Sequence, residues 1–143
     1  MSPEGLQVNL PDNQLEKLKK LTATLAEEDA HAFASQVRWA STARSKQVAP
    51  KGDWSVWLIL AGRGWGKTRT GAQDIAGYAM ANPESRCGVV APTQGDLRRV
   101  CFEGSSGLLS CVPKECLWTG DGSAYNRTAM EIKLWNGSII QGY

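Results

Sequence analysis

A chain of 143 residues gives room for one proper core, because domains cluster around roughly 100–150 residues, with an extension beside it. Hydrophobic residues make up 42% and charged residues 21%, an ordinary globular composition that excludes collagen, coiled coil and wholesale disorder. With 16 Lys+Arg against 14 Asp+Glu the net charge is +2, which neither demands nor excludes a polyanionic partner.

From Asp12 to about Arg44, Leu15, Leu18, Leu21 and Leu25, then Phe33 and Val37, recur at helical spacing. The pattern predicts one or two amphipathic helices. The break is placed near Ala26 to Asp29, where three consecutive acids suit the positive N-terminus of a second helix. Lys17, Lys19 and Lys20 read as a solvated helix face. "VAPKGDW" at Val48 to Trp54 gathers Pro, Gly and Asp and reads as a linker or turn.

The composition changes at "WSVWLIL", Trp54 to Leu60, a short continuous apolar run of the kind found in a parallel strand covered on both faces. A glycine-rich loop follows it directly, and "TRTGAQDIAGYAMA" then places Ala72, Ile75, Ala76 and Ala79 on one helical face until Asn82-Pro83 stops it. "RCGVVAPT" predicts a second buried strand, which leads into a helix over "QGDLRRVCFE". "GSSGLLSCVP" and "WTGDGSAYNR" read as surface connections. "AMEIKLW" and "SIIQGY" flank Asn136-Gly137, a strong hairpin signal, so two antiparallel strands are expected there.

Four cysteines, Cys87, Cys101, Cys111 and Cys116, have no CxxC pair, and the single histidine, His31, lies far from them. Reduced structural thiols are expected, with Cys87 buried in its apolar run. No apolar run approaches about 18 residues and no charged-then-apolar leader opens the chain, so the expectation is a cytoplasmic protein with no membrane span.

The chemistry concentrates in Ala61-Gly62-Arg63-Gly64-Trp65-Gly66-Lys67-Thr68, which matches the phosphate-binding P-loop pattern except that alanine stands at its first position. Glycines 62, 64 and 66 let successive N–H groups point at phosphate oxygens. Lys67 would reach the β- and γ-phosphates, and Thr68 would offer a hydroxyl to Mg2+. Arg63 either touches the γ-phosphate, stabilising transition-state charge, or points to solvent. Trp65, at the crest, needs a neighbour or a partner to cover its ring. A dinucleotide fingerprint does not fit, because its third glycine position is Lys67.

Taken in order, the Gln47 and Pro50 of "ARSKQVAPKGDW", then "WLILAGRGWGKTRTGA", "VVAPTQGDLRRVCFEGSSGLL" and "LWNGSIIQGY", the chain over about residues 40–143 resembles the ATPase half of large terminase subunits, the DNA-packaging motors of tailed bacteriophages. The resemblance implies an α/β fold: an incomplete three-layer P-loop NTPase (RecA-like) core with a helical N-terminal extension over 1–47, a partial ATPase domain over 48–143 and a C-terminal β-hairpin. It implies ATP and Mg2+ as cofactors. It assigns nucleotide binding to Gln47, Gly62, Arg63, Gly64, Trp65, Gly66, Lys67, Thr68 and Arg69, catalysis to Lys67 and Arg63, and the metal to Thr68. Gln47 would contact the adenine base, an amide being able to donate and accept side by side; alternatively it is a solvated linker residue.

The implied partners are double-stranded DNA, a portal protein, a small terminase subunit and further copies of the chain in a ring, in the host cytoplasm. Thr93, Gln94, Arg98 and Arg99 are candidate DNA contacts, although a solvated helix face explains the two arginines equally well. The family pattern continues to an acidic Walker B pair and a C-terminal nuclease. No apolar strand between Arg86 and Tyr143 ends in Asp-Glu, so a fragment is expected, inactive or very slow by itself. A helicase of similar core, a non-catalytic assembly module and a small-molecule kinase are the alternatives.

Overall fold

The computed structural model describes residues 26–143 together with Gln14, Glu16 and Lys19. The expected first helix, on Leu15, Leu18, Leu21 and Leu25, falls on residues outside that description. The second runs as α1 over Glu27–Thr42 and opens on Glu27, Glu28 and Asp29, the acids that favour a helix N-terminus. A short 3-10 turn, Ser45–Gln47, follows it.

Helix α2 spans Lys67–Ala81 and buries Thr70, Ala72, Ala76, Gly77, Ala79 and Met80. Most of these are small, so neighbouring elements approach its backbone closely. At Gly77 even a methyl group would stand 2.6 Å from the Gln36 amide of α1, which fixes where the two helices cross. Ser35 donates to the carbonyl of Cys111 at 3.4 Å, and the Cys116 thiol donates to that of Glu28 at 3.4 Å, so α1 is bonded to the body at two further places.

After α2 comes β1 (Arg86–Val89), then α3 (Gln94–Asp96), which continues as a π-helical stretch over Leu97–Phe102. Thr93 caps α3: its hydroxyl accepts from the Asp96 backbone N–H at 3.0 Å and donates to the Asp96 carboxylate at 2.8 Å. A short helix α4 covers Leu108–Cys111, and a 3-10 turn covers Lys114–Cys116. The strands β2 (Tyr125–Asn126), β3 (Glu131–Lys133) and β4 (Ile139–Gly142) complete a mixed four-stranded sheet in the order β1-β4-β3-β2. β1 and β4 are parallel; β4 with β3 and β3 with β2 are antiparallel. The expected hairpin at Asn136-Gly137 is therefore present as β3 and β4.

Ile132 pairs with Ile140, and Ile140 with Cys87, so the three side chains share a face. Packed with Leu97, Phe102, Leu108 and Leu134, the two isoleucines form the fully buried centre. The hairpin turn also has a polar role. Asn136 donates from its side chain to the carbonyls of Ala79 and Met80, satisfying groups that the end of α2 leaves open. Ser138, fully buried, donates to the carbonyl of Asn82 and accepts from the backbone N–H of Ser85.

Three sequence expectations need correction. "RCGVVAPT" forms the strand β1, but not a buried one: Arg86, Gly88 and Val90 are exposed, because the strand pairs on one side only, with β4. "GSSGLLSCVP" is not a surface connection throughout, since Leu108, Cys111 and Val112 enter the core. "WSVWLIL" forms no strand. Its alternate residues Val56, Leu58 and Leu60 are 80, 72 and 85% exposed, with Trp57 and Ile59 half-buried between them. An apolar run specifies a preference for coverage on both faces; a strand also requires a neighbour to bond, and none of the described strands pairs with it. Among the described residues no helix is long and apolar enough to cross a membrane.

Candidate functional site: the glycine-rich loop

The loop turns on two glycines. Gly64 (φ +78°) and Gly66 (φ +95°) lie in the left-handed region, which other residues enter at a cost. Gly66 is also the residue before α2, and its carbonyl accepts the helix bond from the Thr70 N–H at 2.9 Å. No side chain caps this helix, and no acid lies in its first turn. Lys67, Thr68 and Arg69 stand there instead, with Arg63 in the loop before them. A 15-residue helix whose positive end carries only cations lacks the negative charge that such ends favour, and a bound anion would supply it.

The side chains divide by what they already hold. The Lys67 ammonium donates to the carbonyls of Ala61 and Gly62, both at 2.8 Å, closing the loop on its own start. Phosphate oxygens are stronger acceptors for an ammonium than neutral carbonyls, so a phosphate placed there would compete with these bonds. Thr68 is half-buried and its hydroxyl makes no hydrogen bond among the described residues; exposed Arg63 has neither a hydrogen bond nor an ion pair there. Arg69 donates to Ser110 at 2.8 Å, so the bond it makes ties α2 to α4 rather than reaching into the loop.

Gln47 and Trp65, far apart in sequence, come together. Gln47 is buried at 9% exposure, which excludes the solvated-linker reading. Its side-chain oxygen accepts from the backbone N–H of Arg44 at 3.0 Å and from the Arg44 Nε at 3.2 Å, and its Nε2 donates to the Trp65 carbonyl at 3.1 Å. The Arg44 Nη2 donates to the same carbonyl, and its guanidinium lies over the Trp65 ring, 5.5 Å from the centroid. Trp65 thus gains the cover that a ring at a loop's crest requires. Arg44 is the residue that sequence reasoning missed; the only signal was its position three residues before Gln47, at the two ends of the 3-10 turn.

The groups at the loop that could meet an anion are the Lys67 ammonium, the exposed Arg63 guanidinium and the Thr68 hydroxyl, which makes no hydrogen bond among the described residues. For Mg2+ the described residues offer no group of three or more His, Cys, Asp or Glu that could hold an ion. Thr68 together with phosphate oxygens is the donor set that remains, in keeping with the habit of Mg2+ of binding mainly through substrate and water. The first carboxylate along α2 is Asp74, and burial raises its pKa.

Thr93, Gln94 and Arg99 are exposed, whereas Arg98 is half-buried with its Nε enclosed and unpartnered. No hydrogen bond or ion pair among the described residues joins these four to the loop. The thiols are unpaired: Cys111 and Cys116 are buried while Cys87, expected inside, is half-buried. Burial, with the nearby charges of Glu115, Asp29 and Glu28, pushes the Cys116 thiol up to about 12. Comparison with protein-family models, with curated proteins and with solved structures finds no match to this chain.

Proposed function

We propose that this chain is the ATP-binding part of a viral DNA-packaging motor, whose full machinery couples ATP hydrolysis to translocation of double-stranded DNA into a procapsid. The observation that carries the reading is the loop of Gly64 and Gly66 in left-handed conformation, opening directly into Lys67-Thr68 at the cationic start of α2. The order of apolar segment, loop, helix and strand supports an incomplete three-layer P-loop core, and the ordered resemblance over residues 40–143 directs that core toward large terminase subunits.

In this reading the loop N–H groups and the end of α2 hold the phosphates. Lys67 leaves the Ala61 and Gly62 carbonyls for the β- and γ-phosphates, Arg63 neutralises charge that develops on the transferred group, and Thr68 orients the metal. Thr68 would hold Mg2+, which would supply neutralisation of phosphate charge. Orienting the attacking water needs an acidic pair on a strand, and none of the strands described here ends on one. The chain by itself should therefore bind nucleotide weakly and hydrolyse it very slowly. Double-stranded DNA, a portal protein, a small terminase subunit and a ring of copies are the partners that the reading implies, in the cytoplasm of the host.

Calorimetric titration with Mg2+ and a non-hydrolysable ATP analogue, beside the Lys67→Ala variant, tests it. Saturable binding that Lys67→Ala abolishes is expected. Equal binding by both chains, or no binding by wild type, would overturn the assignment of the loop.

A further inference from the structure

The amide of Gln47 is already engaged. Its oxygen accepts twice from Arg44 and its Nε2 donates to the Trp65 carbonyl. A primary amide has two acceptor sites and two donor hydrogens, so the acceptor side is saturated and one donor is in use. An amide in this state cannot pair with a base in the donate-and-accept manner without releasing Arg44.

What the amide grips instead is the loop's crest. The Trp65 carbonyl receives both Gln47 Nε2 and Arg44 Nη2, while the Arg44 guanidinium covers the Trp65 ring. The next residue is shaped to admit this grip. A Cβ at Gly66 would stand 2.8 Å from Gln47 Nε2, so glycine there serves the contact as well as the turn. The arm that leads into the loop, Trp54–Leu60, has no strand partner among the described residues, so nothing in the sheet fixes the loop from that side.

From these contacts we infer that Arg44 and Gln47 are positioning residues. With Trp65 they form a clasp through which the end of α1 sets the shape of the phosphate-binding loop, and Gln47 acts on phosphate affinity without reading a base. The inference rests on the loop being a phosphate site, and its test separates the two ideas.

Wild type, Arg44→Ala, Gln47→Ala and the double variant are titrated with Mg-ATP and with Mg-tripolyphosphate, which has the phosphates and no base. Each single substitution is expected to weaken both probes by the same factor, on the order of tenfold for the loss of hydrogen bonds to a charged or buried partner. The double variant should be little worse than either single one, because the residues act as one unit. Loss of ATP binding with tripolyphosphate binding intact in Gln47→Ala would make Gln47 a base reader and overturn the clasp. Unchanged binding of both probes by Arg44→Ala would overturn it as well.

A ligand-free readout keeps the clasp testable even if wild type binds no phosphate, an outcome that would sink the proposed function and the effect on phosphate affinity but not the clasp's hold on the loop. Tryptic cleavage after Arg63 should be faster in Arg44→Ala and in Gln47→Ala than in wild type, at unchanged helical circular dichroism. Gln47→Glu, which keeps the size of the side chain and replaces the donor to Trp65 with a second oxygen, should behave like Gln47→Ala. Cleavage at the wild-type rate in all three variants refutes the clasp.

Discussion

From β1 onward, extended apolar segments in this chain have neighbours: β1 bonds β4, β4 bonds β3, and Ile132 and Ile140 face each other in the core. The segment before the loop is as apolar as any of them, yet it joins no strand and leaves Val56, Leu58 and Leu60 in solvent. The two regions are held by different means. The sheet is shaped by ladder bonds and buried area; the loop is shaped by a few side chains, with Lys67 on the carbonyls of Ala61 and Gly62 and the Arg44–Gln47 pair on Trp65. Substitutions in the first region should therefore show in stability. Those in the second should show in binding and local opening.

The largest stability effect belongs to the sheet. Ile140→Ala should lower the unfolding free energy by about 2–5 kcal/mol in chemical denaturation, since it empties space at the centre of a packed core. Ser138→Ala should cost about 1–3 kcal/mol, because the Asn82 carbonyl and the Ser85 N–H lose their buried partner. Leu58→Lys, in the exposed arm, should change stability by no more than about 0.5 kcal/mol. It should also reduce self-association in sedimentation velocity, because a charge interrupts an uncharged apolar segment that other copies can pair with. A loss for Leu58→Lys as large as that for Ile140→Ala would erase the distinction between the regions.

The smallest effect concerns pH. Glu103 accepts both Nε and Nη2 of Arg127, and the Tyr125 hydroxyl as well, so its pKa is lowered, chiefly by the bond from Arg127. A carboxylate with a depressed folded pKa contributes stability above its unfolded pKa and loses it as pH falls through the folded one. Wild type should therefore lose slightly more thermal stability than Glu103→Gln on acidification through the carboxylate range. Parallel pH profiles would show that this exposed pair contributes nothing. Tyr125 itself is pushed up to about 12, first by burial and then by its bond to Glu103, and remains a phenol throughout.

The parts of this molecule that are legible in its sequence are those set by local rules. The alanine face of α2, the acids that open α1, the Asn136-Gly137 turn and the glycines of the loop all act through neighbours within a few residues. Thr93 and Asp96 could also have been read as a cap from their spacing. What the sequence does not disclose depends on partners far along the chain. The arm at Trp54–Leu60 carries a strand composition, and only the rest of the sheet decides whether a ladder forms. The docking of Arg44 and Gln47 on Trp65 spans about twenty residues and follows from how α1 ends beside the loop. Likewise Leu108 and Val112 hide in a Gly- and Ser-rich stretch whose burial comes from α2 packing over α4.

Amide hydrogen exchange, with and without Mg2+ and a non-hydrolysable ATP analogue, tests most directly whether this side-chain-held loop is the phosphate site. The expected result is new protection confined to Gly62–Thr68 and the first turn of α2, with the Trp54–Leu60 arm still exchanging freely. Protection centred anywhere else, or none at saturating ligand, would contradict it.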